Sequence, residues 1–322
     1  MSIDEEDGTI IRYTNSQPIR LRNVVCVYCG VRLTDGNSTK EHVVGRRFVP
    51  LGKLDGQWNL IVGACSPCNT RKSDLEDDIA AVSMQPDVFG RYAVADEALV
   101  ATAKRKAERS TSRKTKKPVK ESQARLAVSG QLSPVLTADF SFTGPPQIDD
   151  HRIFELARHH VMAFFFLITY DRKTERGWWW PGEFMPILHA RRSDWGNVSW
   201  IGFMQNVYPW DMRVQAAIAD DFFRCSIRKH PQAECWSWAL EWNQQHRIAG
   251  FLGDRSAAQS IANGIPPEQV TTVFNEPGRY LRFRHDVPLA EQDDILFAHP
   301  DDQELPSAGS ASESAAQASQ EN

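Results

Sequence analysis

Six cysteines divide four and two along the 322-residue chain. Cys26-Val27-Tyr28-Cys29 and Cys65-Ser66-Pro67-Cys68 form two Cys-x-x-Cys knuckles with 35 residues between them, while Cys225 and Cys235 lie far downstream. Each knuckle presents two thiolates to one ion, so the pair composes a tetrahedral four-thiolate zinc site. A redox dithiol needs only one such motif, and two structural disulfides do not suit a chain with no export signal. A four-thiolate site is coordinatively closed, so Zn2+ held by Cys26, Cys29, Cys65 and Cys68 is expected to be structural. Inside this staple lie Glu41 and His42, then Asn59; Asn69 follows the last cysteine and Lys72 comes three residues later. Taken singly, these have plainer roles: a surface acid beside a loop-capping histidine, a turn asparagine, solvated helix positions. Their occurrence together inside one staple is what gives them weight.

The elements that must position these residues can be read from pattern. Ser66-Pro67 reads as an N-cap with proline at the first helical position, which has no amide hydrogen bond to lose. The helix then runs without a breaker to Gln85-Pro86. WNLIVGA, Trp58 to Ala64, is an apolar run of strand length, and STKEHVV, Ser38 to Val44, is a shorter strand candidate. The order is strand, loop, strand, helix. The knuckles therefore tie the segment ahead of the first strand to the start of the helix, in a unit whose small core needs such a tie.

KEHVVGRRFVP followed by WNLIVGACSPCNTRKSD resembles the HNH endonuclease family, whose ββα-metal fold holds its active site between a hairpin and a helix. The match covers Cys26 to Asp74 and consists of acid-His, Asn-Leu and Cys-x-x-Cys-Asn-x-x-Lys in order inside paired zinc knuckles. The resemblance implies that His42 is the general base that takes a proton from the attacking water, a task suited to an imidazole near neutral pH. It implies that Glu41 and Asn69 hold one catalytic divalent ion, Mg2+ or another, through oxygen donors. Asn59 matches the central asparagine that buttresses the loop and orients the base. Lys72, one helical turn beyond Asn69, is expected to project from a neighbouring face and contact a backbone phosphate. Two positions depart from the pattern: Glu41 stands where aspartate is common, and Gly45 where a proline often follows the histidine.

Length predicts more than one domain. We expect an α+β protein: an N-terminal segment (1–19), a zinc-stapled ββα-metal unit (20–95), a basic helix or linker (96–125), a larger Trp-rich α+β domain (126–299) and a disordered acidic tail (300–322). The net charge is -4, yet Lys104 to Arg125 carries ten Lys or Arg against two Glu. Lys104, Arg105, Arg113, Lys114, Lys116 and Lys117 are candidate nucleic-acid contacts there, since clustered cations bind phosphates without sequence preference. The Trp-rich region holds nine of ten tryptophans and a helix from DDHRIFELARHH onward. CWSWALEWN alternates as a half-buried strand and RIAGFLG can pair with it. His159 and His160 read as core or boundary positions, Cys225 and Cys235 as buried free thiols, and Trp178 to Trp180 as core, interface or base-stacking residues. No export signal and no apolar run of membrane length are evident, so a cytoplasmic location is expected. DNA is the expected partner, with a homodimer or protein partner possible through the C-terminal domain. The expected activity is metal-dependent hydrolysis of phosphodiesters. The alternative is a zinc-stapled DNA-binding module that does not cut, with function carried by the C-terminal domain.

Overall fold

The computed structural model of the chain describes residues 17–87, 90–133, 136–146, 148–268, 270–276, 279–283 and 285–299. Most of the N-terminal segment and the whole acidic tail lie outside the described residues.

The first unit is a three-stranded sheet and a helix. β1 (Ile19–Arg20), β2 (Ser38–His42) and β3 (Leu60–Cys65) are ordered β1-β3-β2, with β2 antiparallel to β3. β3 is central and buried, as its apolar run requires, and leads directly into α1 (Ser66–Ser83). The helix starts one residue earlier than the Ser-Pro pattern predicts. Cys65 is the N-cap and makes no side-chain cap, while the Ser66 amide donates to the Asn37 carbonyl at 2.9 Å. α2 (Glu97–Arg109) is capped by Asp96, whose carboxylate accepts from the Leu99 amide at 2.9 Å.

The stretch 96–125 is not a free linker. Ala103 and Ala107 of α2 are buried, and a turn closed by a Thr111–Pro118 bridge leads into a short 3-10 turn, Val119–Glu121, with Val119 also buried. Arg113 reaches back to α1. Next come the paired strands β4 (Gln123–Ser133) and β5 (Leu136–Pro146), then α3 (Asp150–Ile168), capped by Asp149.

The second sheet is antiparallel and built from β6 (Glu183–Arg191), β7 (Asp211–Ile218), β8 (Phe223–Lys229), β9 (Cys235–Trp242) and β10 (His246–Gly253) in the order β6-β10-β9-β8-β7. α4 (Val198–Val207) and α5 (Arg255–Ala262) complete it, followed by the hairpin β11 (Thr271–Glu276) and β12 (Arg279–Phe283). β9 and β10 pair as expected, but β9 is buried on both faces rather than one. The reason is that helices cover the sheet on both sides, so both alternating sets of its residues meet apolar surface. α3 covers one side, with Phe165 against Trp236 at 4.8 Å. Trp195, Trp200, Phe203 and Trp210 fill the other.

The core on the α3 side is continuous with that of the four-cysteine unit. Val43, Phe48, Trp58 and Leu75 belong to the same apolar cluster as Val161, Phe164, Phe223 and Trp242. Polar contacts follow the same seam: the Trp58 indole donates to the Ala217 carbonyl at 2.8 Å, and Asn243 donates to the Phe48 carbonyl and the Ser83 hydroxyl. Cys225, Cys235 and His160 are buried, as their sequence context predicts. Among the described residues no helix is long and apolar enough to cross a membrane.

Candidate metal centre and strand-helix seam

The four knuckle thiols converge. Cys26 and Cys29 sit on a turn closed by a Val25–Arg32 bridge, Cys65 ends β3, and Cys68 lies in the first turn of α1. Their sulfurs all lie within 4.8 Å of one another. Cys29 Sγ and Cys65 Sγ are 3.6 Å apart, close to the edge of about 3.8 Å that a tetrahedron of Zn–S bonds requires. The Tyr28 amide donates to Cys26 Sγ at 3.4 Å, which favours the thiolate. Burial pushes the Cys26 thiol up to about 11, so an ion entering here must displace protons. The cluster can hold a metal, and four thiolates suit structural zinc. Gly30 serves the turn twice. It has φ +73°, and a Cβ there would lie 2.6 Å from the ring of Trp179, whose indole donates to the Val27 carbonyl at 2.7 Å.

Three polar rungs join β2 and the loop after it to one face of α1. Asn69 Nδ2 donates to Thr39 Oγ1 at 3.0 Å. Lys72 Nζ lies 2.7 Å from Glu41 Oε1 and 2.6 Å from Glu76 Oε1. The Gly45 amide donates to Glu76 Oε1 at 3.2 Å. Positions 69, 72 and 76 share a helix face by their three- and four-residue spacing, while 39 and 41 share the facing side of the strand. Tyr28 donates to Glu41 at 3.4 Å, and His160 Nε2 of α3 lies 3.7 Å from Glu76.

This arrangement overturns the phosphate-contacting role expected of Lys72. Its side chain is 1% exposed, because two carboxylates draw the ammonium inward. Burial would lower its pKa, but Glu76 and Glu41 outweigh burial and keep it charged. Burial likewise works against the Glu76 carboxylate, yet Lys72 and His160 hold it down at about 2. For Glu41 burial prevails over Lys72 and raises the pKa. Gly45 also has its explanation. Proline there would lose the amide that Glu76 accepts from, and any Cβ would lie 2.3 Å from Glu76 Oε2.

His42 ends β2 and is partly exposed. It pairs with Ile61, which pairs in turn with Arg20, so strand alternation puts it on the sheet face opposite Glu41. Glu41 and Asn69 therefore share the strand-helix seam, on successive rungs, and His42 does not share it. Its ring makes no hydrogen bond among the described residues. Burial, then Arg46, Lys40, Lys72 and Arg20, lower its pKa and hold the imidazole neutral at neutral pH. Asn59 is buried and clasps both backbone groups of Val44, accepting from its amide at 3.3 Å and donating to its carbonyl at 2.8 Å. It braces the loop two residues beyond His42.

The basic residues separate. Arg113 is ion-paired to Asp74 at 3.0 Å and Asp77 at 3.3 Å, and braces α1. Lys104 and Arg105 are exposed on α2, and Lys114, Lys116 and Lys117 on the turn after it. A cavity of about 1030 Å³ opens between α1 and α2, with Asn69 and Arg105 in its wall. Arg46, Arg47 and Arg109 also line it and were not singled out from sequence, although Arg46-Arg47 stands inside the quoted motif. Glu76 was missed too; its four-residue spacing from Lys72 was the available signal. No protein family, no curated protein and no solved structure matches this chain.

Proposed function

We propose that the chain is a metal-dependent endonuclease of the HNH kind, hydrolysing phosphodiester bonds in DNA. The observation that carries this reading is a partly exposed, unpartnered imidazole at the end of a hairpin strand, beside a helix fastened by four convergent thiols. Neutral His42 takes a proton from the attacking water at a ring nitrogen. Water oxygen bonds to phosphorus, the bond to the leaving oxygen breaks, and that oxygen takes a proton from solvent. Asn59 holds the loop that carries the base. Glu41 and the amide oxygen of Asn69 are oxygen donors of the kind Mg2+ takes, and an ion held there would polarise the phosphate; because His42 lies on the opposite face of β2, base and ion would meet one phosphate only beyond the end of the strand, where His42 is the last residue. Glu41 takes that role only when the Lys72 ammonium leaves it.

That last point favours a second reading. An ammonium already neutralises Glu41, as befits a zinc-stapled nucleic-acid-binding module that does not cut. A cleavage assay on plasmid, single-stranded DNA and RNA with Mg2+, Mn2+ or Ni2+ separates the two. Nuclease chemistry predicts that His42→Ala lowers cleavage about 100-fold or more with metal content and melting temperature unchanged. Intact substrate throughout with the wild-type protein selects the module.

A further inference from the structure

The cavity between α1 and α2 carries an electrostatic asymmetry that the rungs of the seam do not use. Its acidic wall residues are already satisfied. Asp74 is held by Arg113 and by Arg152, each at 3.0 Å, Asp77 by Arg113 at 3.3 Å, and Glu76 by Lys72 at 2.6 Å. Four exposed arginines of the wall, Arg46, Arg47, Arg105 and Arg109, have no acid partner among the described residues. Arg46 and Arg47 come from the loop after β2. Arg105 and Arg109 lie one helical turn apart on α2 and so form a stripe on one face. Lys106, between them, donates to the Arg47 carbonyl and joins the two walls. A guanidinium stays charged and its planar fork matches phosphate oxygens two at a time.

We infer that this groove binds the sugar-phosphate backbone of a nucleic-acid strand, gripped by Arg46 and Arg47 on one wall and by Arg105 and Arg109 on the other. The strand lies against Asn69, at the helix start that the thiol cluster fastens. The inference deepens the nuclease reading and rests on it for the identity of the ligand. It also redistributes the basic stretch: Arg105 and Arg109 bind, Arg113 braces, and Lys104, Lys114, Lys116 and Lys117 stand outside the groove.

The test is fluorescence anisotropy of a labelled DNA duplex and its matching single strand. It uses the full-length His42→Ala protein in Mg2+-free buffer, with increasing KCl. Arg105→Ala/Arg109→Ala and Arg46→Ala/Arg47→Ala should each weaken binding about tenfold or more, and each should reduce the salt slope by about 2. Lys114→Ala/Lys116→Ala/Lys117→Ala should change Kd by less than about twofold. Melting temperature and metal content establish that each variant folds, and Arg105→Gln/Arg109→Gln removes the same two charges where an alanine pair does not fold. Groove variants that bind as tightly as the parent, or polyglutamate competing as well as DNA, overturn the proposal. If groove variants built in the wild-type protein cut DNA as it does, the groove falls and the nuclease stands. Groove-dependent binding without cleavage under any metal keeps the groove and removes the nuclease.

Discussion

The strand-helix seam and the five-stranded sheet each bury a cation between two carboxylates, in different surroundings. In the sheet, Arg247 meets Glu241 at 2.8 Å, pairs with Asp294, and is covered by the Trp195 ring 3.7 Å from its guanidinium carbon. The apolar layers of α3 and α4 stand on either side, so packing there does not depend on the ion pair. In the seam, the side chains of α1 that meet β2 and its loop at positions 69, 72 and 76 are polar. Three rungs of hydrogen bonds and charge join hairpin to helix, with the thiol cluster at one end and His160 of α3 at the other. Glu41 and Asn69 stand among these polar contacts, while His42 stands on the other face of β2.

The largest effect is expected from emptying or disabling the four-thiol cluster. Chelation, or Cys65→Ser, should cost the seam most of its stability, since structural zinc contributes about 10 kcal/mol or more in small units. Because the two regions share one core, a single lowered melting transition is expected. Two separated transitions by calorimetry would show that the sheet stands alone. Next in size, Lys72→Met leaves Glu41 and Glu76 buried without a cation and should cost about 3–5 kcal/mol in urea unfolding. Arg247→Met should cost less, because the apolar layers on both sides of the sheet take up a methionine side chain there. Equal costs would contradict the distinction. The smallest effect is shared by both regions. Burial holds His160, beside the seam, and His189, in the sheet, down at about 4. Each folded-state value lies below the unfolded one, so the unfolded chain binds more protons as pH falls below about 6.5. The stability contributed is complete above that pH and drains away toward pH 4, by about 1 kcal/mol per histidine at pH 6. A melting temperature flat from pH 7.5 to 6 would refute it.

Much of this was readable in the chain, for reasons that differ by region. Cys-x-x-Cys spacing marks convergent thiols because a tetrahedral ion constrains ligand separation, and the sulfurs do converge. β9 and β10 were legible because wide apolar alternation has few other uses. The start of α1 was misplaced by one residue because Ser66-Pro67 satisfies the local rule while Asn37, distant in sequence, supplies the actual hydrogen bond. Sequence pattern misleads at Lys72 for a similar reason. A lysine on a helix of mixed polarity looks solvated until Glu41, from another strand, is brought to it. Arg113 seemed one more exposed cation of a basic run, and only the fold reveals Asp74 and Asp77 beneath it. Charge pairs across tens of residues leave no periodic trace, whereas apolar faces do.

Trp179 comes from the segment after α3, yet its ring rests on Gly30, directly after the second cysteine of the first knuckle. An indole so close to the knuckle gives the molecule an optical gauge of its own thiol cluster. If an ion held by these thiols is withdrawn and the turn relaxes, the ring gains water and loses its carbonyl acceptor, and its emission should move to the red. The difference between the emission of the wild-type protein and that of Trp179→Phe isolates this ring from the other nine tryptophans and so follows occupancy with no dye and no tag.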